Sequence, residues 1–209
     1  MKINLEVLDS LLVYGTTAIE ELNTKELVPK MVTRRRLTRA AKIAIYLADQ
    51  ISLKSERIVY GSSFGEIPAI ATILNSLSSK EQISPTVFQN SVYNTAISYL
   101  SMLNSNKGEI MTISSGDSTS LNILKAGAIK ALDGDTLALI ATETLNVENI
   151  EQVNSCVDFL EVGVALKVRV TTKEATHKLS SSNSQKFPSS LIEMINIAKD
   201  KAQVVEITL

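Results

Sequence analysis

Residues 111–132 constrain the fold more than any other stretch of this sequence. Residues 111–114, Met-Thr-Ile-Ser, predict a short buried strand, and Gly116 permits a sharp turn shortly after them. Asp117 then begins a predicted helix that is rich in small residues. The apolar face of this helix consists of Leu121, Leu124, Ala128 and Leu132. A strand, an elbow and a helix in this order present one side chain at a helix N-terminus, where backbone amides favour negative charge.

Strands and helices alternate along the chain, which predicts a single layered α/β domain over residues 1–209, with a mixed sheet and packed helices. The predicted strands cover residues 3–14 (as one or two short strands), 57–62, 111–114, 136–142, 159–171 and 204–207. The predicted helices cover residues 37–48, 66–78, 90–103, 117–132 and 190–201, and the predicted loops include 16–30 and 81–89. Thr33 is the candidate cap of the first helix. Residues 172–188, rich in Ser, Thr and Asn, are predicted to form a mobile loop.

The composition is that of an ordinary globular domain and argues against several kinds of site. With 209 residues and a net charge of −1, the chain has no general attraction to nucleic acid or to a membrane surface. The single Cys156 excludes an intramolecular disulfide and is interpreted as a plain structural cysteine. One cysteine and one histidine argue against a zinc or other metal site. Residues 1–7 do not resemble a signal peptide, and no apolar run approaches a membrane span, so we expect a cytoplasmic protein.

Six short motifs follow one another in a specific order. They are RRRLTRAA at residues 34–41, VYGSSFGE at 59–66, SPTVFQNSVYNTA at 84–96, KG at 107–108, ISSGD at 113–117 and GVAL at 163–166. Each motif alone is weak, but over residues 29–166 the combination resembles the N-terminal half of a β-ketoacyl synthase, a thiolase-like enzyme. In particular, it resembles the short, chain-length-factor-like subunits of aryl-polyene and related type II polyketide pathways.

The resemblance implies one half of the thiolase-like αβαβα fold, which is built from two similar halves. It places the nucleophilic cysteine of a synthase at the elbow, where this sequence has Asp117. It places the catalytic histidines in a C-terminal half that this sequence does not show, and the only histidine, His177, lies in a polar segment. A carboxylate is a poor nucleophile toward a thioester. The resemblance therefore implies a pseudo-ketosynthase without catalysis or cofactor, whereas the residues alone favour Asp117 as an N-cap, worth about 1 kcal/mol over alanine.

A full-length β-ketoacyl synthase is the partner that the resemblance implies, in a heterodimer. The interface strand would consist of Met111, Thr112, Ile113, Ser114 and Ser115. The acyl tunnel, and with it the product length, would be shaped by Phe88, Gln89, Val92, Tyr93 and Ala96. For any one of these residues, ordinary packing is the alternative interpretation. Half of a thiolase fold should also leave apolar surface that the missing half would cover, which favours an obligate complex.

Arg34, Arg35, Arg36 and Arg39 form the one basic cluster of the sequence. They are candidates for docking an acidic acyl carrier protein or the partner subunit, and a solvated helix start with local ion pairs is an equally open alternative. No aromatic residues are interleaved with them, which argues against nucleic acid. Because arginines near a helix start gain nothing from the helix dipole, we expect carboxylates to hold them.

Two further functions stay open from the sequence alone. The chain could be a standalone enzyme that acts on acyl thioesters at an unrecognised site, or a homodimeric binding module for acyl carriers. A serine hydrolase is not supported, because Ser114 and Ser115 do not lie in a Gly-x-Ser-x-Gly motif and no ordered acid and histidine follow them.

Overall fold

The computed structural model of the chain describes residues 1–147, 157–183 and 185–209. The strands are β1 (Lys2–Gly15), β2 (Arg57–Gly61), β3 (Ile110–Ile113), β4 (Leu137–Thr144), β5 (Glu161–Val170), β6 (His177–Lys178) and β7 (Val204–Thr208). The helices are α1 (Thr24–Leu27), α2 (Met31–Arg36), α3 (Arg39–Gln50), α4 (Ile67–Ser78), α5 (Pro85–Gln89), α6 (Thr95–Asn104), α7 (Thr119–Lys130) and α8 (Ile192–Lys199). Short 3₁₀ turns cover Gly116–Ser118, Ala131–Asp133 and Ser189–Leu191. Cys156 lies outside the described residues.

Within these ranges, seven strands form one mixed sheet in the order β3-β2-β4-β5-β1-β7-β6. β2 runs parallel to β3 and β4, and β6 runs parallel to β7. The pairs β4–β5, β5–β1 and β1–β7 are antiparallel. Every residue of β4 is buried, and its first five residues form the unbroken apolar run that is typical of a strand inside a sheet covered on both faces. The predicted α/β fold with a mixed sheet and packed helices is confirmed.

Helices cover both faces of the sheet, because successive residues of a strand point to opposite sides. Val59 and Leu139 belong to an apolar cluster on one face, together with residues of α7 and α8. Tyr60 and Ile140, the next residues along the same strands, belong to a second cluster with residues of α3 and α6. Gly127 lets α7 lie close to the sheet, since a Cβ at that position would be 2.6 Å from Leu139 Cδ2. The sheet is thus the middle layer of three.

The segment after residue 172 builds part of the layer that contains α7. Met194, Ile195 and Ile197 of α8 are fully buried, and Glu193 of the same helix accepts a hydrogen bond from Ser120 of α7. β7 extends the sheet by pairing with β1. The resemblance led us to expect apolar surface that a second half would cover, without indicating where on the sheet. On this face, the chain covers much of the sheet with its own C-terminal segment.

Thr38 caps α3, and the prediction of Thr33 is wrong. Thr33 lies inside α2, whereas Thr38 Oγ1 accepts a hydrogen bond from the backbone N–H of Ala41 at 3.1 Å. The backbone of Leu37 is extended, so α2 ends before it and a second helix has to start after it. Because the spacing of apolar residues does not show this break, the sequence pattern predicts a cap residue that lies too early in the chain.

Other element boundaries also differ from the prediction. β1 is a single strand of 14 residues, whereas the sequence allowed one or two short strands. Its register with β5 shifts between Val7 and Asp9 without ending the strand. Residues 85–89 form α5 inside a predicted loop, with Pro85 at the position where proline favours a helix start. α6 begins at Thr95 instead of residue 90. Leu132 is 48% exposed, because the 3₁₀ turn that follows α7 takes it off the apolar face.

Two observations concern the remaining sequence predictions. The segment 172–188 contains β6, in which His177 lies opposite Val205 of β7, and the mobility of the segment stays a prediction. None of the helices in the described ranges has both the length and the apolar character that a bilayer crossing requires.

Candidate functional site

The elbow between β3 and α7 has the strand, turn and helix that the sequence predicts. Gly116 has a positive φ of 55°, a backbone conformation that glycine adopts without strain. Thr119 closes the turn, because its Oγ1 donates to the carbonyl of Gly116 at 2.7 Å and accepts from the backbone N–H of Ser115 at 3.0 Å. The hydroxyl of Thr119 therefore fixes the chain direction at the point where a synthase would present its nucleophile.

Asp117 lies at the predicted position, but it does not cap α7, so that prediction is wrong. Asp117 lies within the 3₁₀ turn Gly116–Ser118 that precedes α7, and no side-chain cap hydrogen bond forms at the start of either the turn or the helix. The exposed Asp117 carboxylate instead accepts a hydrogen bond from Ser189 Oγ at 2.6 Å. The tertiary contact with Ser189 has taken the place of the local contact with helix amides.

Glu143 is a second carboxylate at this end of the sheet, at the end of β4, and it is fully buried. Its Oε1 accepts from the N–H of Ser63 at 2.6 Å and from Ser190 Oγ at 2.7 Å. Its Oε2 accepts from Ser62 Oγ at 2.8 Å and from the N–H of Phe64 at 3.3 Å. Burial raises the pKa of the Glu143 carboxyl, and these four hydrogen bonds oppose the rise. Glu143 was not identified as a site residue from the sequence, although a single acidic residue shortly after an apolar run was a usable signal.

Ser189 and Ser190 connect the two carboxylates to the C-terminal segment. Adjacent in sequence, they donate to Asp117 and to Glu143 respectively. The backbone of the turn after β2 is linked to the elbow as well, because Ser114 Oγ donates to the carbonyl of Ser63 at 3.3 Å. No sequence signal pointed to these serines, since the region after residue 172 matched no known pattern.

β3, which carries the predicted interface residues, lies at one edge of the sheet in the described part of the chain. Because only β2 pairs with it there, its other side presents unpaired backbone groups. Met111 is 39% exposed, Thr112 and Ile113 are half-buried, and Ser114 and Ser115 are exposed. The prediction of a buried strand is wrong on this point, because an edge strand is covered on fewer sides than an interior one.

A large share of the exposed apolar side chains lies in the segment of the chain between β2 and β3. Among the described residues, half of the exposed large apolar side chains fall between residues 64 and 111. They are Phe64, Leu74, Leu77, Phe88, Val92, Tyr93, Met102 and Met111. α4, whose sequence is strongly apolar, has no buried residue. Exposed apolar surface of this extent is typical of a protein interaction site.

The predicted tunnel residues do not all share one environment. Ala96 is buried in the core, whereas Phe88, Gln89, Val92 and Tyr93 are exposed. Gln89 and Val92 line a groove of about 200 Å³ along α6, together with Asn90, Asn94, Thr95, Ser98, Tyr99 and Met102. Tyr93 packs on Gly65, where a Cβ would lie 2.9 Å from its ring. The role of these residues in an acyl tunnel stays a prediction.

The four arginines of the basic cluster also separate into different environments. Arg39 donates from Nε and Nη2 to the two oxygens of Glu161, at 2.7 and 2.5 Å. The expectation that carboxylates hold the arginines is therefore met at Arg39. Arg34 donates instead to the backbone carbonyls of Val28 and Pro29. Arg35 and Arg36 are exposed at the end of α2, where a partner can reach them.

Two further titratable side chains, Glu66 and His177, bear on the question of chemistry at the site. Glu66 is buried, and its Oε1 accepts from Thr38 Oγ1 at 2.7 Å; burial raises its pKa to about 7. His177, the only histidine, lies on β6, at the opposite edge of the sheet from β3. The structure therefore does not bring the histidine to the elbow. In the described ranges, no group of three or more His, Cys, Asp or Glu side chains is placed to hold a metal ion.

Solved structures share the fold at low sequence identity. A chain of the ketosynthase ApeO in complex with its chain length factor ApeC, from Xenorhabdus doucetiae, is 20% identical with a TM-score of 0.71, over 90% of this chain and 89% of that chain. A chain of the ishigamide ketosynthase/chain length factor is 10% identical with a TM-score of 0.63, over 83% and 64%. A chain of AntDE:AntF, a type II PKS acyl-carrier protein in complex with its ketosynthase, is 13% identical with a TM-score of 0.61, over 80% and 62%.

These matches establish the fold, and the sequence itself establishes the family. No curated protein matches the sequence. The family model for the N-terminal domain of β-ketoacyl synthases, however, matches residues 15–206, which include the elbow, Glu143 and the two serines of the C-terminal segment. This confirms the resemblance that the six motifs predicted. The chain therefore belongs to the β-ketoacyl synthase N-terminal domain family.

Proposed function

We propose that this chain is a non-catalytic, chain-length-factor-like subunit that pairs with a full-length β-ketoacyl-ACP synthase. The observation that carries this proposal is the free edge of β3, which leads directly into an elbow with Asp117 in place of a nucleophile. The pathway would be a polyketide elongation, such as aryl-polyene synthesis, or a related fatty-acid-like one. The partner would supply the cysteine and histidines of the reaction.

The chemistry of the elbow supports the absence of catalysis. Acyl transfer from a thioester needs a thiolate or an equally strong nucleophile, activated by a nearby base or cation. Asp117 offers a carboxylate that already accepts a hydrogen bond from Ser189, and the only histidine lies at the other edge of the sheet. Glu143 is buried and surrounded by its own donors, so it is not available to a substrate.

The surface around β3 supports a protein partner. An edge strand offers a row of backbone donors and acceptors that a strand of another chain can pair with. The exposed apolar side chains between residues 64 and 111 would supply the buried area that a stable complex needs. The neighbours described as ketosynthase and chain length factor complexes share this fold and favour a ketosynthase as the partner.

Two finer roles belong to the same proposal. Phe88, Gln89, Val92, Tyr93 and Ala96 would shape the acyl tunnel at the interface and limit the product length. Arg35 and Arg36, which are exposed, would attract an acidic acyl carrier protein, while Arg34 and Arg39 would hold the local backbone in place.

Co-expression with a full-length ketosynthase encoded nearby tests the proposal. We expect the two chains to co-purify in a 1:1 ratio, and we expect the synthase to lose elongation activity when this chain is omitted. Independent purification of the two chains, with full activity of the synthase alone, would contradict the proposal. A purified homodimer that binds acyl carrier protein would support the binding-module alternative instead.

A further inference from the structure

Glu143 fixes several pieces of backbone that are far apart in sequence. Its carboxylate accepts hydrogen bonds from two backbone amides and one hydroxyl of residues 62–64, and from Ser190 in the C-terminal segment. Ser62 Oγ, which donates to Glu143, accepts in turn from the N–H of Gly65 at 2.8 Å. A single buried side chain therefore fixes residues 62–64 directly, and it fixes Gly65 through the hydroxyl of Ser62.

This turn carries part of the exposed apolar surface near β3. Phe64 lies on the turn and is 45% exposed. Gly65 has a positive φ of 59°, and the ring of Tyr93 packs against it. Tyr93 is itself 46% exposed. The carbonyl of Ser63 accepts from Ser114 at the end of β3. The turn thus sets the positions of two exposed aromatic rings and contacts the predicted interface strand.

We propose that Glu143 is a positioning residue for partner binding, which acts by holding the turn at residues 62–65 so that Phe64 and Tyr93 face the partner in fixed positions. This inference rests on the proposed function, because it assumes that the surface around β3 binds a ketosynthase. Rigid aromatic side chains bind more tightly than mobile ones, since less conformational entropy is lost in the complex. Phe64 and Tyr93 are of the residue type that dominates protein interfaces.

A double-mutant cycle separates positioning from plain stability. Glu143→Gln keeps the shape of the side chain but turns one acceptor oxygen into a donor that faces donors, so the turn loosens. We expect at least a tenfold weaker affinity for the ketosynthase, measured at a temperature where all variants are folded. In a Phe64→Ala background, the same change should weaken binding by less than threefold, because the ring that Glu143 positions is gone.

Thr142→Val is the matched control on the same strand. It removes the buried hydrogen bond between Thr142 Oγ1 and the Tyr60 hydroxyl, which is 2.7 Å long and does not involve the turn. It should lower the melting temperature and leave the affinity within twofold of the wild type. An equal loss of affinity in Thr142→Val and Glu143→Gln, or additive effects of Glu143→Gln and Phe64→Ala, would overturn the inference.

Amide hydrogen exchange distinguishes a failure of this inference from a failure of the proposed function. In free Glu143→Gln, the amides of residues 63–65 should exchange at least ten times faster than in the wild type, while those of β5 keep their rates. Unchanged exchange at the turn overturns the inference. If the wild type binds no ketosynthase, the proposed function fails and the role in partner binding fails with it, while exchange still reports on the turn. Should Glu143→Gln not fold, Ser62→Ala serves in its place, because it releases Gly65 and removes only one of the four hydrogen bonds to Glu143.

Discussion

The hydroxyl of Ser189 donates a hydrogen bond to the carboxylate of Asp117 at 2.6 Å and so ties the C-terminal segment to the elbow. The side chain at the nucleophile position is therefore a structural partner of another segment of the same chain. Beside it, Ser190 binds the buried Glu143 in the same way. Together the two contacts hold the 3₁₀ turn of Ser189–Leu191 against the end of the sheet that carries the elbow.

Asp117→Cys should not create acyl-transfer activity. A thiol in the 3₁₀ turn directly before α7 gains some thiolate character from the helix, but no histidine lies beside it to activate it or to stabilise the reaction. We expect no acyl-enzyme above the level of a surface thiol when the variant is incubated with acyl-CoA and followed by mass spectrometry. The experiment uses a Cys156→Ser background, so that only the new thiol is measured. Accumulation of a stoichiometric acyl-enzyme would refute the non-catalytic interpretation of the elbow.

Arg39→Ala should destabilise the fold by about 3 kcal/mol, because it leaves the buried carboxylate of Glu161 without its charged partner. Arg35→Ala is the matched control, and it should change the free energy of unfolding by less than about 0.5 kcal/mol, since that side chain is exposed. Urea denaturation measures both values. Arg35→Ala should instead weaken binding of acyl carrier protein. Equal free energies of unfolding for the two variants would show that the fold tolerates the buried Glu161 carboxylate without its ion pair to Arg39.

Glu66 should make the fold less stable as the pH rises from 5 to 8. Burial raises its pKa from 4.5 to about 7, so the folded state keeps a proton that the unfolded chain releases. The stability from protonated Glu66 is complete below pH 4.5 and is lost as the pH rises through 7. Since one pKa unit corresponds to about 1.4 kcal/mol, the loss is on the order of 3 kcal/mol.

Glu66→Gln tests this pH dependence, because glutamine can keep the hydrogen bond with Thr38 and carries no charge. Thermal unfolding from pH 5 to pH 8 should give a flatter profile for Glu66→Gln, with a higher melting temperature than the wild type at pH 8. Parallel profiles of the two proteins would mean that Glu66 does not titrate in this range.

Val92→Phe should shorten the longest product of the heterodimer by at least one two-carbon unit. Val92 lines the groove along α6, and a larger ring at this position would fill part of its volume of about 200 Å³. Product length is read by mass spectrometry of the released chains. Ile129→Phe, at an exposed position of α7 and away from the lining of the groove, is the control that should leave the products unchanged. An unchanged distribution with Val92→Phe would remove Val92 from the set of length-limiting residues.

The sequence predicted most of the sheet, for a physical reason that β4 and β5 illustrate. β4 begins with a continuous apolar run, as is typical of a strand buried on both faces, and β5 has apolar residues at every second position; both patterns fix the strand position to within a few residues. The elbow was predictable because Gly116 separates an apolar strand from a helical pattern. Thr38 was harder to identify, since the break at Leu37 follows from backbone conformation and not from the spacing of apolar residues.

The contacts of the site were less predictable, because they depend on tertiary structure. Arg35 and Arg39 are the same residue type in one cluster, and only the buried Glu161, 122 residues from Arg39, distinguishes them. Ser190 is a serine among many serines until the fold brings it to Glu143. Asp117 has the right residue type for a cap, yet a 3₁₀ turn and the contact with Ser189 decide its actual role.

The central claim is that a ketosynthase binds at the free edge of β3, and the backbone N–H of Thr112 tests it most directly. The amides of Ile58 in β2 and of Ser62 directly after β2 donate to the carbonyls of Glu109 and Ile113. Because the two sides of a strand alternate, the N–H of Thr112 points to the free edge. Thr112→Pro removes this donor without removing a bond to β2, whereas Thr112→Val keeps it.

The decisive measurement is the dissociation constant between the purified chain and a full-length ketosynthase encoded nearby. The wild type and Thr112→Val should bind with equal affinity within about twofold, and Thr112→Pro should bind at least tenfold more weakly while it keeps its melting temperature within a few degrees. Equal binding of all three proteins, or no binding by the wild type, would contradict the account.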